Sequence, residues 1–393
     1  MKIAFYSDNF YPELSGITDT IVTTGKELKK RGHEIVYVGP YYAPADYAKA
    51  NRQYPERPED DQIEGMPIVR LRSIPLRPSP TGQSRFAIPS GRTLEYMRTF
   101  KPDIIHTQSP YSLGWEARKV AVGLGVPLVG TNHTAIEDFF PPFTRALMRR
   151  WDARYYNSCD FVSAPYERLL GRMREVGFKK PGHAVPNPAD LHEFLPATAE
   201  EKIADREAFG LQGPVILYAG RLGVEKRVDV MVRAMPILLK EFPTLTLVAT
   251  GHGAARTGLD KLVQKLGVAK QVRFTGFLSR AALTHAYKTA DLFGMTSTSD
   301  SQSLALMQGY ASGLPAVCAA ARGLPDYVPA DCGFLIEPNN PADFAAKAAQ
   351  LLRDEPLRAR MGVAAIDYSK NFAPEKIAQQ WEEIYSEALK KTP

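Results

Sequence analysis

Short apolar runs recur along the chain between longer stretches in which apolar residues return every three or four positions. In the first half these runs are Ile3-Ala4-Phe5-Tyr6, Ile35-Val36-Tyr37-Val38, Ile104-Ile105-His106, Leu128-Val129-Gly130 and Phe161-Val162-Ser163-Ala164. Runs of this length, separated by helix-length segments, predict buried parallel strands joined by crossover helices. A second series starts at Val215-Ile216-Leu217-Tyr218 and continues through Leu245-Thr246-Leu247-Val248, Val272-Arg273-Phe274, Leu292-Phe293-Gly294-Met295 and Ala316-Val317-Cys318. The restart predicts a second doubly wound domain. Val185-Pro186-Asn187-Pro188-Ala189-Asp190 lies between the two series and precedes a polar, Ala/Glu-rich helix, which puts the hinge near Pro186 to Asp190. At the far end Pro374 opens a helix carrying Ile377, Trp381, Ile384, Tyr385, Ala388 and Leu389 as one stripe, and such a stripe needs a surface to cover.

Composition adds bounds. The chain has 393 residues, more than one core usually organises, so two domains of roughly 200 residues each are expected, with one large barrel as the alternative. With 44% hydrophobic and 23% charged residues it has apolar material for two cores and is not a disordered chain. The N-terminus, Met1-Lys2-Ile3-Ala4-Phe5-Tyr6-Ser7-Asp8, turns polar too soon for a signal peptide, and no run approaches the ~18 residues of a membrane span. A cytoplasmic protein is the expectation, in which the sequon Asn132-His133-Thr134 is empty. Three scattered cysteines, Cys159, Cys318 and Cys332, predict reduced, mostly buried thiols. Net charge is +6, which favours an anionic partner. The basic residues are dispersed and no recognition helix or aromatic binding motif accompanies them, so nucleic acid is the weakest candidate, behind a phosphorylated substrate and an anionic membrane.

Candidate chemistry sits where predicted strands end. After Tyr218 comes Ala219-Gly220-Arg221-Leu222-Gly223-Val224-Glu225-Lys226, where glycines let the backbone turn beside a ligand while Arg221 and Lys226 place two cations against a diphosphate. The same residues also read as an ordinary strand-to-helix turn with solvated cations. Further on, Thr298-Ser299-Asp300-Ser301-Gln302-Ser303 precedes an apolar helix from Leu304, whose amides and dipole attract phosphate. Asp300 suits sugar hydroxyls and Gln308 a ribose; alternatively Asp300 is a cap and Gln308 a packed polar residue. Val129-Gly130-Thr131-Asn132-His133-Thr134 ends a strand in a polar loop, where His133 either hydrogen-bonds a hexose hydroxyl or simply satisfies a structural partner. For His106 the structural reading is kept. Gly16, in the loop after the first strand, permits close backbone approach, and Gly251-His252-Gly253-Ala254-Ala255-Arg256 is only a weak likeness to a dinucleotide fingerprint.

In this order the elements resemble the GT-B fold retaining glycosyltransferases of the large fourth sequence family, over nearly the whole chain. The family's early glycine loop matches Ser15-Gly16, its strand-end histidine segment Gly130-Thr131-Asn132-His133-Thr134, and its Pro-Asn-Gly-Val-Asp hinge Pro186-Asn187-Pro188-Ala189-Asp190. Its Gly-Arg-Leu and Glu-Lys clamp appears as Gly220-Arg221-Leu222 and Glu225-Lys226, and its Gly-Leu-Pro turn as Gly313-Leu314-Pro315. The resemblance implies two Rossmann-like doubly wound α/β domains facing across a cleft: an acceptor-side domain over 1–190, a nucleotide-sugar domain over 191–374, and a helix over 375–393 packed back on the first. It implies transfer of a glucose- or mannose-type hexose from a nucleotide-diphosphate sugar to a hydroxyl, with retention, no metal, and no cofactor beyond the donor itself. Carried over by position, His133, Arg221, Lys226 and Asp300 become the catalytic set. Gly16, Gly251, Phe277, Ser303, Leu304 and Gln308 join Arg221 and Lys226 as donor contacts.

Two departures stand out. The family's paired glutamates fall on Asp300 and Gln308, which motivates a catalytically weak sugar-nucleotide-binding protein as an alternative, and Pro188 replaces a glycine and should stiffen the hinge. Asn132-His133-Thr134 followed by Glu137, and Ser84-Arg85-Phe86-Ala87-Ile88-Pro89, resemble the branch that glycosylates membrane lipids such as diacylglycerol; a soluble acceptor is the alternative. That branch implies a lipid acceptor and a peripheral place on the inner face of the cell membrane. Phe143, Arg145, Leu147, Met148, Arg149, Arg150, Trp151 and Arg154 could form the basic, partly apolar face that meets anionic lipid, unless Leu147 and Trp151 are core. A sugar-nucleotide epimerase and a nicotinamide dehydrogenase are the other classes considered; the first shares only architecture and the second lacks its fingerprint.

Overall fold

The computed structural model describes residues 1–13, 15–49, 53–57, 60–76, 84–133 and 142–391. They divide into two compact units, Met1–Pro188 with Pro374–Pro393, and Ala189–Ala373. The first unit opens with β1 (Lys2–Tyr6), α1 (Gly16–Lys30), β2 (Glu34–Pro40), α2 (Pro44–Lys49), β3 (Gln62–Ile63), β4 (Met66–Leu71), β5 (Ser73–Pro75), β6 (Arg85–Ala87) and α3 (Thr93–Phe100). It continues with β7 (Ile104–Thr107), α4 (Ser112–Leu124), β8 (Leu128–Thr131), α5 (Arg145–Tyr156), β9 (Phe161–Ala164), α6 (Glu167–Glu175) and β10 (Gly182–Ala184). The second unit holds α7 (Ala199–Ala208), β11 (Val215–Ala219), α8 (Val228–Leu238), β12 (Thr246–Thr250), α9 (Arg256–Lys265), β13 (Val272–Gly276) and α10 (Arg280–Thr289). Then come β14 (Leu292–Met295), α11 (Leu304–Ala311), β15 (Ala316–Ala319), β16 (Gly333–Ile336), α12 (Pro341–Arg353) and α13 (Glu355–Ser369), after which α14 (Pro374–Lys391) returns to the first unit.

The first unit's main sheet has the order β10-β9-β8-β7-β1-β2-β4-β3 among the described residues, parallel except for β3 against β4. Ile3 pairs with Ile35 on one edge and Ile104 on the other, so β1 is central, and Ile3 to Tyr6 are all buried. α14 covers part of this sheet. Ile377, Ile384 and Tyr385 are essentially inaccessible and Trp381 nearly so, in one cluster with Ile3, Ile104 and Val129. Each such side chain contributes about 1.5–3 kcal/mol of burial as an upper estimate. The Tyr385 hydroxyl also reaches inward to His106 Nδ1 at 2.8 Å, while His106 Nε2 meets Thr131 Oγ1 at 2.8 Å.

The second unit's sheet is fully parallel, in the order β13-β12-β11-β14-β15-β16. Several strands lie outside the apolar runs that mark the others. β4 carries Pro67, which weakens a strand reading. β10 and β16 are short edge strands, and β5 pairs with β6 as a separate antiparallel ribbon. Cys159, Cys318 and Cys332 are buried free thiols. No helix among the described residues is long and apolar enough to cross a membrane.

Candidate functional site

Strand order in the second unit reverses between β11 and β14, and the loops leaving such neighbouring strands border the crevice where open α/β sheets bind ligands. The loop after β11 brings Lys226, the loop after β14 brings Asp300, and the two side chains meet. Lys226 Nζ lies 2.8 Å from Asp300 Oδ1 and 3.0 Å from Oδ2, with both side chains about 15% exposed or less. The loops are also tied through their backbones, since Thr298 N donates to Glu225 O at 3.1 Å and Thr296 Oγ1 to Arg227 O at 2.8 Å. Ser303, not Asp300, caps α11: its hydroxyl accepts from Leu306 N at 3.2 Å. Leu304 begins the helix at its positive end.

Arg221 is mostly exposed and reaches Glu225 at 3.1 Å, while its carbonyl accepts from the Tyr218 hydroxyl at 2.6 Å. Burial pushes the Tyr218 phenol well up, and the nearby Asp300 charge adds to it. The ends of β11, β12 and β13 are drawn together by Gly220 N to Thr250 O and Gly251 N to Gly276 O. Gly251 has φ +122, and a Cβ there would lie 2.0 Å from Gly220 O, so only glycine fits. Phe277 follows directly and is 80% exposed. Gln308 lies one helical turn into α11, its Oε1 accepting from the Tyr287 hydroxyl at 3.1 Å.

In the first unit strand order reverses between β1 and β7. Gly16 is the first residue of α1 behind its cap Ser15, and a Cβ on it would meet nothing within 4 Å. His133 stands two residues beyond β8, buried, with Nε2 2.8 Å from Gln108 Oε1. Burial lowers its pKa to about 4, so the ring is neutral near pH 7. A cavity of about 40 Å³ adjoins it, lined by Asn9, Ile17, Gln108, Ser109 and Tyr111 among others. Asp8, fully buried, accepts from Ser109 Oγ and Ser112 Oγ at 2.6 Å and from Leu113 N at 3.1 Å, which fixes the start of α4; burial raises its pKa against those bonds. Thr134 and Glu137 lie outside the described residues. On α5 Leu147 is 64% exposed and Phe143, just before it, 86%, whereas Trp151 stacks on Tyr111 at 6.2 Å. Leu147 is therefore not core.

Residues 14–193 match the model for Glycosyltransferase Family 4, and residues 199–368 that for Glycosyl transferases group 1. The chain belongs to the GT-B glycosyltransferases. An alpha-monoglucosyldiacylglycerol synthase of Streptococcus pneumoniae is 27% identical over 81% of this chain and 70% of its own length. A GDP-mannose-dependent alpha-mannosyltransferase of Mycolicibacterium smegmatis is 26% identical over 93% of this chain and 92% of its own. The structure of Anabaena HepE in complex with UDP superposes with a TM-score of 0.78 at 18% identity, over 98% of this chain and 100% of that one, a likeness of fold.

Sequence reasoning missed several residues of this glycosyltransferase. Gln108 directly follows β7, and its signal was that position: a polar residue at the carboxyl end of a central strand. Tyr287, the partner of Gln308, lies on α10 and carried no signal. The β5–β6 ribbon turns Ile74, Leu76, Phe86 and Ile88 to solvent, the last two within the stretch from Ser84 to Pro89. A cavity of about 550 Å³ is lined by Tyr41, Tyr47, Tyr54, Tyr96, Ile68 and Arg70.

Proposed function

We propose that this glycosyltransferase moves a glucose- or mannose-type hexose, with retention, from a nucleotide-diphosphate sugar to a hydroxyl of a membrane lipid, diacylglycerol or another glycolipid. The observation that carries the reading is the Lys226–Asp300 pair at the strand-order reversal of the second unit. An ammonium held by one short carboxylate is a cation in waiting: a diphosphate, with more charge and more acceptor oxygens, can take it over. Arg221 joins it, and Ser303 and Leu304 add the positive end of α11. Gly251 and Phe277 border the donor, Gln308 serves the ribose, and Asp300, released from Lys226, accepts from sugar hydroxyls. His133 and Gly16 are the first unit's contribution to binding the hexose.

Transfer then runs on one face of the sugar. The anomeric C–O bond to the diphosphate breaks while the acceptor oxygen bonds to the same carbon from the same side, and the acceptor proton passes to the departing phosphate oxygen. Arg221 and Lys226 stabilise the charge that develops there, the part a divalent cation would otherwise take, so the reaction is metal-independent in this reading. The lipid acceptor is supported by the name of the Streptococcus pneumoniae relative and by the exposed apolar groups beside the arginines of α5 and on the β5–β6 ribbon. A peripheral place on the inner membrane face follows from that acceptor. Purified protein given UDP-glucose or GDP-mannose with diacylglycerol vesicles should yield an α-linked glycolipid, read from its anomeric signals. Transfer only to a soluble acceptor removes the lipid half of the proposal, and binding without turnover of either donor leaves a sugar-nucleotide-binding protein.

A further inference from the structure

We infer that Gln108 is a positioning residue that holds His133 in one tautomer and thereby keeps Nδ1 as an acceptor for a hydroxyl of the bound sugar. The identity of the ligand rests on the function proposed above; the tautomer does not.

His133 is 6% exposed, and among the described residues its Nδ1 has no hydrogen-bond partner. Its other nitrogen is 2.8 Å from the Gln108 side-chain carbonyl. A carbonyl only accepts, so Nε2 carries the proton, and a neutral ring protonated at Nε2 bears its lone pair at Nδ1. Gln108 is itself well placed to dictate this. It is buried, and its backbone N donates to Tyr6 O at 2.8 Å, anchoring it between the ends of β1 and β7. Two hydroxyls beside the cavity are already engaged, Ser109 Oγ by Asp8 and Ser7 Oγ by Asn9 O. The cavity of about 40 Å³ admits one hydroxyl or one water. A buried acceptor left empty is costly, so what enters must donate. A hydroxyl can; a phosphate oxygen cannot, and no cation on the ring compensates it. The cavity is thereby specified for a hydrogen-bond donor such as a sugar hydroxyl rather than for the diphosphate.

The test uses the full chain labelled with nitrogen-15 at its seven histidines, with His133→Gln assigning the signal. Ring nitrogen–proton correlation spectra read the tautomer directly. Wild type should show the Nε2–H form, Gln108→Leu a mixture, and Gln108→Glu, whose carboxylate also only accepts, the Nε2–H form again. An Nδ1–H ring in wild type, which means that the Gln108 amide is turned the other way, overturns the inference, as does a signal indifferent to Gln108→Leu. In transfer assays with UDP-glucose, Gln108→Leu should lose roughly tenfold in kcat/KM, while affinity for UDP, which has no hexose, stays at the wild-type value. Equal loss for UDP overturns the assignment to a sugar hydroxyl. Failure of wild type to bind or use any nucleotide sugar removes the proposed function and leaves the tautomer result standing.

Discussion

Lys226→Ala is the sharpest perturbation of the proposed donor site, because it strips the cation from the diphosphate and the partner from Asp300 together. At 2.8 Å and an effective dielectric of about 20, the Lys226–Asp300 attraction is on the order of 6 kcal/mol before its costs. Desolvation of two largely covered side chains and the ordering of a lysine offset most of this, leaving about 1–3 kcal/mol of stability at stake. Losing one preorganised cation from a developing negative charge costs about two orders of magnitude or more in turnover, or ~3 kcal/mol of barrier. The two effects are separable with Asp300→Asn, which breaks the same pair but leaves the ammonium. Denaturant melts should show a similar stability loss for both variants. Titration with the nucleoside diphosphate should show weakened binding only for Lys226→Ala, and equal or tighter binding for Asp300→Asn, whose cation is no longer neutralised. Nucleotide release under steady-state conditions gives kcat. A folded Lys226→Ala protein with wild-type turnover would refute the clamp.

Transfer should survive an excess of chelator; complete loss, restored by magnesium or manganese, contradicts catalysis by protein cations alone. Gln308→Glu should preserve or improve donor affinity, since a charged acceptor makes the stronger bond to a ribose hydroxyl, and a large loss in a folded variant counts against a ribose hydroxyl donating to residue 308. The protein should sediment with anionic vesicles in a salt-sensitive way that weakens in Arg149→Glu/Arg150→Glu, each basic residue near the surface contributing about 1 kcal/mol; binding to neither anionic nor neutral vesicles favours a soluble acceptor. Glu382 is held down to about 2, first by the Arg31 guanidinium at 2.6 Å and then by His33, against the pull of burial. Its folded pKa lies below its unfolded value, so the pair's contribution is full above about pH 4.5 and is lost as pH falls toward about 2. Arg31→Ala should therefore raise the midpoint of acid unfolding seen by circular dichroism, and an unmoved midpoint counts against the pair.

The fold class was legible because the central strands are buried on both faces: Ile3 to Tyr6 and Val215 to Ala219 admit no polar alternation, and such runs announce themselves. Edge strands do not. β10, Gly182-His183-Ala184, looks like loop because one neighbour and partial burial demand little of its side chains, while β4, paired on both sides, is disguised by Pro67 and by its half-covered Val69 and Arg70. Lys226 and Asp300 each stood out by position after a strand end. That they touch was not legible, since they are 74 residues apart and meet only because β14 lies next to β11 rather than beyond β13. Leu147 and Trp151, four apart, suggested a shared buried face. The structure separates them: Trp151 stacks on Tyr111, while Leu147 stays 64% exposed.

The two positions where the chain departs from the family's glutamates are therefore unlike each other. Asp300 keeps the charge, and its shorter arm sets that charge on Lys226, so the proposed donor site is nearly neutral at this pair until a diphosphate arrives. Gln308 drops the charge, and its carbonyl, shared with the Tyr287 hydroxyl, stays an acceptor with one lone pair in use. A glutamate at 308 would keep the Tyr287 bond and accept more strongly, but it would also add a negative charge to the ligand-bearing edge of the sheet. The same substitution should thus favour the nucleoside, through its ribose, and oppose the diphosphate, through repulsion. Uridine and UDP, titrated separately against Gln308→Glu, divide the two: a gain for uridine larger than that for UDP is the expected pattern, and equal gains would mean that residue 308 lies too far from the phosphates for its charge to be felt.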